Sequence, residues 1–486
     1  MKIEIKDEVI KTISQIAHIN GYKIYLVGGY VRDLLLGKPS KDIDITVIGN
    51  GIEFAKIVCK FLENSTLTIF KNFLTAHLNY NNYEIEIVSA RKESYKRDSR
   101  KPIVSGGTLY DDIQRRDFTI NSIAVSLEND NYGEIIDFFG GINDLKNKII
   151  KTTNDPNITF SDDPLRMLRA IRFATTLDFY IEKDTFLGIK RNVERINIVS
   201  VERITEELNK ILLANKPSKG FILLQKSGLL KIILPELSVL EEVINIDEKG
   251  HKNNFIHTMK VLDKVKEKTN NLWLLWATLL HDIGKHKTKM FDPIKGWTFH
   301  NHNIVGAFMA EKIFKRLKLP LNEKFNYVSK LIKMHLRPFS LLNEDNTDSS
   351  IRRLIFEAGD DLEDLLLLAE SDITTKNIEK LNNLLEKFSH LRERIKLVEE
   401  KDRIRNFKVP VNGNEIMKWF NLQPCKLVGI LKNRLKDAIL DGKINNDRQE
   451  AIKFLLEIAK DYGLSYNEKE IFDNPNVEFF DNPNVE

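Results

Sequence analysis

The chain has 486 residues, 42% hydrophobic and 30% charged, which predicts a soluble multi-domain protein of three or four compact units, each large enough for a core. A net charge of only +4 excludes a globally basic surface and leaves any nucleic-acid binding to local patches. Two distant cysteines, Cys59 and Cys425, exclude a disulfide framework, the first ten residues show no signal-peptide apolar region, and the longest apolar run, Leu272 to Leu280, is too short to span a bilayer, so the expectation is a cytoplasmic protein with no membrane partner.

Apolar positions Val9, Ile10, Ile13, Ile16, Ala17 and Ile19 give residues 6–20 the periodicity of a scaffold helix. Ile24 to Val27 reads as a buried strand running into Gly28-Gly29, where the missing Cβ atoms allow a tight turn and close approach to a ligand. A helix starts there, and its N–H groups suit a triphosphate, with Arg32 in the first turn to add a charge-assisted contact. Asp42 and Asp44 flank Ile43 in the next strand. Period two places both carboxylates on one face, within reach of one pair of hard cations, as two-metal phosphoryl chemistry requires.

A helix over 52–63 and strands near 66–70, 74–80 and 83–90 complete a small mixed sheet. In the last of these Glu84 alternates with Glu86, which on its own reads as an exposed strand glutamate. Residues 91–107, RKESYKRDSRKPIVSGG, are basic and punctuated by Gly and Pro, and read as a mobile loop. Arg115-Arg116-Asp117-Phe118-Thr119 opens a helix through Ala124; its arginines beside an acidic residue suit ribose and phosphate contacts, or form a structural Arg–Asp pair.

A further helix, capped by Ser161 or Asp162 with Pro164 in its first turn, sets Asp163 and Arg166 three apart on one face. Such a pair is most often a surface salt bridge. It is also able to read a base: Arg donates to the ring acceptor of cytosine or adenine while the carboxylate accepts from the exocyclic amine, and a keto oxygen on guanine or uracil would leave two acceptors opposed. Arg169 and Arg172 continue the stripe, facing a triphosphate or solvent. Residues 198–213 form an amphipathic helix behind Ser200, and apolar helices through 240 complete a neck.

Seven of the ten histidines fall within residues 251–335, a crowding that points to metal. His281-Asp282 follows LWLLWATLL, and adjacent His and Asp at a helix end can clasp divalent ions when other helices supply partners, here His257, His302, His335 and Asp372. His251, His286 and His300 read as ordinary histidines. Residues 376–405 carry apolar positions at three-to-four spacing in a charged background, a long connecting helix. FDNPNVE occurs at 472–478 and again at 480–486; such acidic, Pro-broken copies cannot build a core, so a disordered tail is expected.

Gly28-Gly29, Arg32-Asp33 and Asp42-x-Asp44 resemble the nucleotidyltransferase motif of the DNA polymerase β-like superfamily. RRDFTINSIA (115–124) and DDPLRMLRAIRFA (162–174) resemble its bacterial class II branch, which holds the tRNA CCA-adding enzymes and the poly(A) polymerases, and the His/Asp set resembles the HD phosphohydrolase superfamily. The resemblance implies an α/β head with a mixed sheet (1–150), an all-α neck (151–245), an HD domain (246–375) and a helical RNA-binding tail (376–470), with 471–486 outside them. It implies template-independent addition of CMP and AMP to the tRNA acceptor end from CTP and ATP. Asp42, Asp44 and Glu86 would be catalytic, the first two holding Mg²⁺. Gly28, Gly29, Arg32, Arg116, Asp117, Asp163, Arg166, Arg169 and Arg172 would surround the nucleotide, and the HD site would take Mn²⁺, Ni²⁺ or Fe²⁺. Arg203 and Glu206 would brace the base-reading helix, and the 91–107 loop would help switch between nucleotides. Phe70-Lys71-Asn72-Phe73 departs from the Gly-Arg-Arg/Lys-Phe run of the poly(A) branch, and Thr75 resembles the CCA-adding side. Poly(A), CC-only or A-only addition are the alternatives, and a rival of another class is an HD phosphohydrolase whose head only binds RNA. The family usually shows Gly near Cys425, and this chain departs from it there.

Overall fold

The computed structural model describes the chain apart from residues 39, 97–98, 243–244, 247–248, 251–252, 343–345, 376, 403–407, 467–470 and 472–486, and the side chains of 93–104, 245–250 and 401–402. His251 and both FDNPNVE copies therefore lie outside the described residues. Two compact units, Met1–Asn326 and Tyr327–Glu486, divide the chain.

The first unit opens with α1 (Glu8–Ile19), capped by the Asp7 carboxylate accepting from Val9 N–H at 3.0 Å. Then come β1 (Lys23–Val27), α2 (Gly28–Leu35), β2 (Asp42–Ile48), α3 (Gly51–Phe61), β3 (Thr66–Phe70), β4 (Thr75–Tyr80), β5 (Tyr83–Ser89), β6 (Arg91–Lys96), β7 (Ser99–Gly106), α4 (Leu109–Gln114), β8 (Ile123–Ser126), β9 (Ile135–Asp137) and α5 (Gly141–Lys146). Seven of these strands form one sheet in the order β3-β4-β5-β2-β1-β8-β9. It is mixed, as expected: β2 and β5 run parallel and the other neighbours antiparallel.

Ile24, Leu26, Ile43, Ile45, Val47, Ala76, Leu78, Ile85 and Ile87 turn to one face and pack with Ile10 and Ile13 of α1 and Phe54, Ala55 and Val58 of α3. Each buried Ile, Leu, Val or Phe among them stabilises the fold by roughly 1.5–3 kcal/mol, and a one-residue slip would drive Asp42 and Asp44 into that core. The register is thereby fixed, and the carboxylates stand on the opposite face.

Three expectations are corrected. The described residues of 91–107 do not form a loop throughout: β6 (Arg91–Lys96) and β7 (Ser99–Gly106) pair as a separate two-stranded ribbon, Arg91 opposite Gly106 and Lys92 opposite Ser105. In a ribbon both strands are edges, where Pro and charged side chains are tolerated, so composition misleads there. No helix runs from Arg115 to Ala124. The Thr108–Asp111 capping box starts α4 early, Asp117 accepts from Phe118 N–H at 2.9 Å and from Asn121 at 3.0 Å, and Ile123–Ser126 is strand β8, the Asp side chain and β-branched residues competing with helix. The helix expected to start at Ser161 is instead α6 (Pro156–Asp162) followed by α7 (Leu165–Thr176). Asp163 between them is extended, as a residue before proline prefers, and accepts from Leu165 N–H at 3.2 Å.

The neck continues as α8 (Lys183–Asn192), α9 (Val201–Leu212) and α10 (Pro217–Ser227), then helices Asn254–Lys268, Leu272–Leu280 and His302–Arg316. Thr205 Oγ1 donates to Leu317 O at 2.7 Å and Trp276 Nε1 to Asn209 at 2.9 Å, tying α9 to these later segments. In the second unit, Asp348–Ala358, Leu362–Asp372 and the expected long helix, Ile378–Asp402, are followed by Gly413–Trp419, Lys426–Leu440 and Arg448–Lys460. The last three enclose Trp419, Phe420, Leu431, Leu435 and Leu455.

Candidate active site

Parallel pairing of β2 with β5 sets Asp42 beside Glu84 and Asp44 beside Glu86. Asp42, Asp44 and Glu86 open into a cavity of about 440 Å³ that Gly29, Arg32, Arg116, Asp117, Arg169 and Arg172 also line. Nine of the expected site residues meet there.

The glycine pair serves the carboxylate. Gly28 has φ +70°, and a Cβ at that position would stand 2.4 Å from Asp44 Oδ2; Gly29 N–H donates to the same oxygen at 3.1 Å. Only glycine at 28 lets the backbone reach Asp44. Burial pushes the Asp44 carboxyl above its ordinary pKa, Arg116 opposes the shift, and the neighbouring Glu86 and Asp42 add to it. Arg116 is in turn aimed by buried Asp112, which accepts from it at 3.1 Å and from Thr46 Oγ1 at 2.9 Å.

On the far wall each arginine has an acidic or amide partner behind it. Arg32 is buried, clasping both Asp33 oxygens at 2.9 and 2.8 Å and donating to Asn121 at 2.8 Å. Asn121 donates to Asp117, which also accepts from Arg169 Nε at 2.8 Å and Nη2 at 2.7 Å. Burial alone would raise the Asp117 pKa, but Arg169, the Asn121 amide and Arg166 outweigh it and hold it at about 2. The Phe173 ring carries three guanidinium groups: Arg172 at 3.8 Å, Arg32 at 5.0 Å and Arg169 at 5.3 Å from its centroid.

Asp163 and Arg166 are placed apart from this cavity. Arg166 donates to Arg115 O at 2.6 Å and lines a neighbouring space of about 120 Å³ with Lys92, Arg115 and Asp162; Asp163 is in the wall of neither. The brace from α9 is also one residue from its expected place. Glu206 is exposed, and buried Glu207 accepts from Arg172 Nε at 2.5 Å. Asp33 was named only as part of the Arg32-Asp33 motif, without a role, and Asp112, Asn121, Phe173 and Glu207 were not singled out from sequence. Glu207 had a signal, a carboxylate inside the stripe Ile204, Leu208, Ile211 that a helix buries.

A second cluster gathers on Asp282 in the same unit. His257, His281 and His302 bring Nε2 to 3.5, 3.4 and 3.4 Å from its carboxylate, and Lys285 stands 2.6 Å away. His281 Nδ1 lies 2.7 Å from Thr278 O and His302 Nδ1 2.7 Å from Phe299 O. A carbonyl there selects the tautomer with the proton on Nδ1, so both Nε2 lone pairs face carboxylate oxygens; acceptors opposed in this way suit a cation between them. Of the other expected ligands, His335 is fully buried in the second unit with Nδ1 2.8 Å from Ile332 O, and Asp372 ends the helix Leu362–Asp372. No described helix is long and apolar enough to cross a membrane.

The model described as Poly A polymerase head domain matches residues 24–151, that described as the probable RNA and SrmB-binding site of polymerase A matches 178–240, and the HD domain model matches 254–365. The chain is 32% identical to a CCA-adding enzyme of Anoxybacillus flavithermus over 64% of its own length and 70% of that protein. With a CCA-adding enzyme of Geobacillus it shares 29% identity over 92% of this chain and 95% of that one. The crystal structure of the Bacillus stearothermophilus CCA-adding enzyme in complex with CTP superposes with a TM-score of 0.65 at 22% identity, covering 95% of this chain and 99% of the other, which establishes a shared fold.

Proposed function

This chain belongs to the bacterial class II CCA-adding enzyme family of tRNA nucleotidyltransferases and poly(A) polymerases, with an HD domain, and from that premise we propose that it adds CMP and AMP, without a nucleic-acid template, to tRNA 3′ ends in the cytoplasm. The observation that carries this reading is the convergence of Asp42, Asp44 and Glu86 with Gly29 and four arginines on one cavity. The division into head (1–150), neck (151–245), HD domain (246–375) and tail (376–470) is part of the same proposal.

Asp42, Asp44 and Glu86 are the residues that would hold divalent cations. They offer oxygen donors alone, which suits Mg²⁺, and the upward push on half-buried Asp44 from desolvation and its acidic neighbours is what a cation would relieve. Bound there, Mg²⁺ supplies Lewis-acid polarisation of the α-phosphate and activation of the RNA hydroxyl. The chain does the positioning. Gly28 and Gly29 seat Asp44, and Arg32, Arg116, Arg169 and Arg172, each held from behind, present a preorganised cationic wall to the triphosphate. Asp117 takes the donors on Nε and Nη2 of Arg169, and the remaining donors of its guanidinium serve the ligand. The RNA 3′-hydroxyl attacks the α-phosphorus in line and pyrophosphate leaves. Base choice is assigned to Asp163 and Arg166, which stand beside the cavity rather than in its wall, so Arg166 would have to exchange the Arg115 carbonyl and Asp163 turn inward when the base binds.

The test is incubation with tRNA ending at the discriminator base, CTP and ATP, followed by sequencing of the products. Addition of CCA is expected; runs of A, CC alone or A alone would select the corresponding alternative. A second reading rests on opposed acceptors around Asp282: His257, His281 and His302 with Asp282 hold Mn²⁺, Ni²⁺ or Fe²⁺ for phosphoester hydrolysis. Failure of nucleotide addition together with release of phosphate from 2′,3′-cyclic RNA ends would make that the main activity.

A further inference from the structure

Among the described residues, the carboxylate face of the sheet is closed on one side and exposed on the other. Toward β1 and β8 it is covered by the small core of Tyr25, Val27, Ile113 and Ala124. Toward β4 and β3 the row continues in register: Asp44 lies beside Glu86, Glu86 beside His77, and His77 beside Thr68, with Phe70 one strand period further on the same face. His77 Nε2 is 3.6 Å from Glu86 Oε1. The Phe70 and His77 rings meet edge to face, centroids 5.2 Å apart and planes at 73°. Phe70 is 43% exposed and the His77 side chain 49%, so an exposed polar-aromatic corner, with one ring edge-on to the other, faces outward beside the catalytic row.

Cations flank it. Arg91, at the base of the β6–β7 ribbon, donates to Phe73 O and, at 3.4 Å, to Thr75 Oγ1, and it lines a space of about 160 Å³ with Asp44, Glu86, Arg115 and Arg116. Lys71 beside Phe70 is exposed. The nucleotide cavity occupies the Arg32 and Arg169 side of the carboxylates, so the strand that receives the nucleotide must approach from another side, and among the described residues β4–β3 presents the exposed Phe70 and His77 there.

We propose that Phe70 and His77 form a stacking shelf for the unpaired terminal base of the RNA 3′ end, with Arg91 and Lys71 neutralising its phosphate. The inference rests on the nucleotidyl-transfer reading above. A stacking site is indifferent to base identity because every base has a π-face, which is what a site needs when the terminal base changes with each addition. A hydrogen-bonding pocket would stall at one of them.

Steady-state kinetics on an acceptor minihelix, with RNA and CTP varied separately, test the shelf. Phe70→Ala and His77→Ala should raise KM for RNA about tenfold, the size of one base–aromatic stack, while KM for CTP stays within about twofold, and Phe70→Trp should restore the RNA value. Unchanged KM for RNA in both alanine variants, equal rises for RNA and CTP, or failure of Phe70→Trp to restore would overturn it. A minihelix ending in 2-aminopurine gives a readout independent of catalysis. Its fluorescence should be quenched on binding to the wild type and recover in Phe70→Ala. Recovery without any nucleotide addition by the wild type would leave the shelf standing and remove the transferase reading; addition with quenching that ignores Phe70 would remove the shelf alone.

Discussion

The two polar clusters of the first unit, both proposed above as cation sites, are built in opposite ways. Asp42, Asp44 and Glu86 project from adjacent parallel strands into an open cavity and offer only carboxylates. His257, His281 and His302 converge from helical segments on Asp282 with all four residues buried. The first arrangement suits a hard cation that comes and goes with a triphosphate; the second, rich in imidazole and closed to water, suits a transition metal that stays. Donor chemistry sets which ion is taken, and exposure sets how large a substrate can reach it.

The largest expected effect separates the two. Asp44→Ala should lower nucleotide addition by roughly a thousandfold or more, with circular dichroism and unfolding unchanged because the side chain faces the cavity rather than the core; a variant that keeps normal incorporation would refute the mechanism. Next, His281→Ala or Asp282→Ala should remove a bound transition metal, read by elemental analysis of purified protein, while nucleotide addition stays within about twofold. Protein that carries the same metal content with and without these residues would make the cluster structural.

Acid should probe the arginine wall behind the first cluster. Asp117 is held at about 2 against an ordinary 3.8, so its carboxylate contributes about 2 kcal/mol of stability at neutral pH. The folded pKa is depressed, so the contribution is complete above pH ~4 and fades as pH falls from about 4 through about 2. Urea unfolding of wild type and Asp117→Asn at pH 5 and pH 2.5 should show a difference that shrinks in acid, and a constant difference would show that the Arg169 pair is not what lowers it. The smallest effect concerns base choice. Asp163→Ala should cut the C-over-U preference about tenfold, since an unsatisfied polar group costs on the order of 1–3 kcal/mol. Incorporation of the four nucleotides on one tRNA measures it, and equal loss for all four would leave Asp163 and Arg166 as a brace between α6 and α7.

Much of the sheet could be read from sequence because its inward residues are uniformly apolar and its outward ones are not: Ile43, Ile45 and Val47 against Asp42, Asp44 and Thr46. The arginines were legible as cations and not as partners. Nothing in the spacing of Arg32 foretells that Asp33 and Asn121 hold it inward, since Asn121 reaches it through a 3₁₀ turn 89 residues away. Glu207 was missed for Glu206 because one helical residue turns the side chain by about 100°, and only the buried stripe of α9 decides which carboxylate faces Arg172. The 91–106 ribbon was hidden by its charges, which say that a segment is wet but not that it is unstructured.

Strand β2 divides its labour residue by residue, and that leaves a signature in mutational tolerance. A saturation library over positions 42 to 47, sorted once for soluble protein and once for activity, should give two interleaved profiles. Substitutions at 43, 45 and 47 deplete the soluble pool. Those at 42 and 44 pass through it intact and vanish only at the activity sort. Thr46, whose hydroxyl donates to buried Asp112, faces the catalytic side and yet belongs to its support, so position 46 should drop partway in each sort. A tolerance map of that shape would reproduce the pleat of the strand without any image of it.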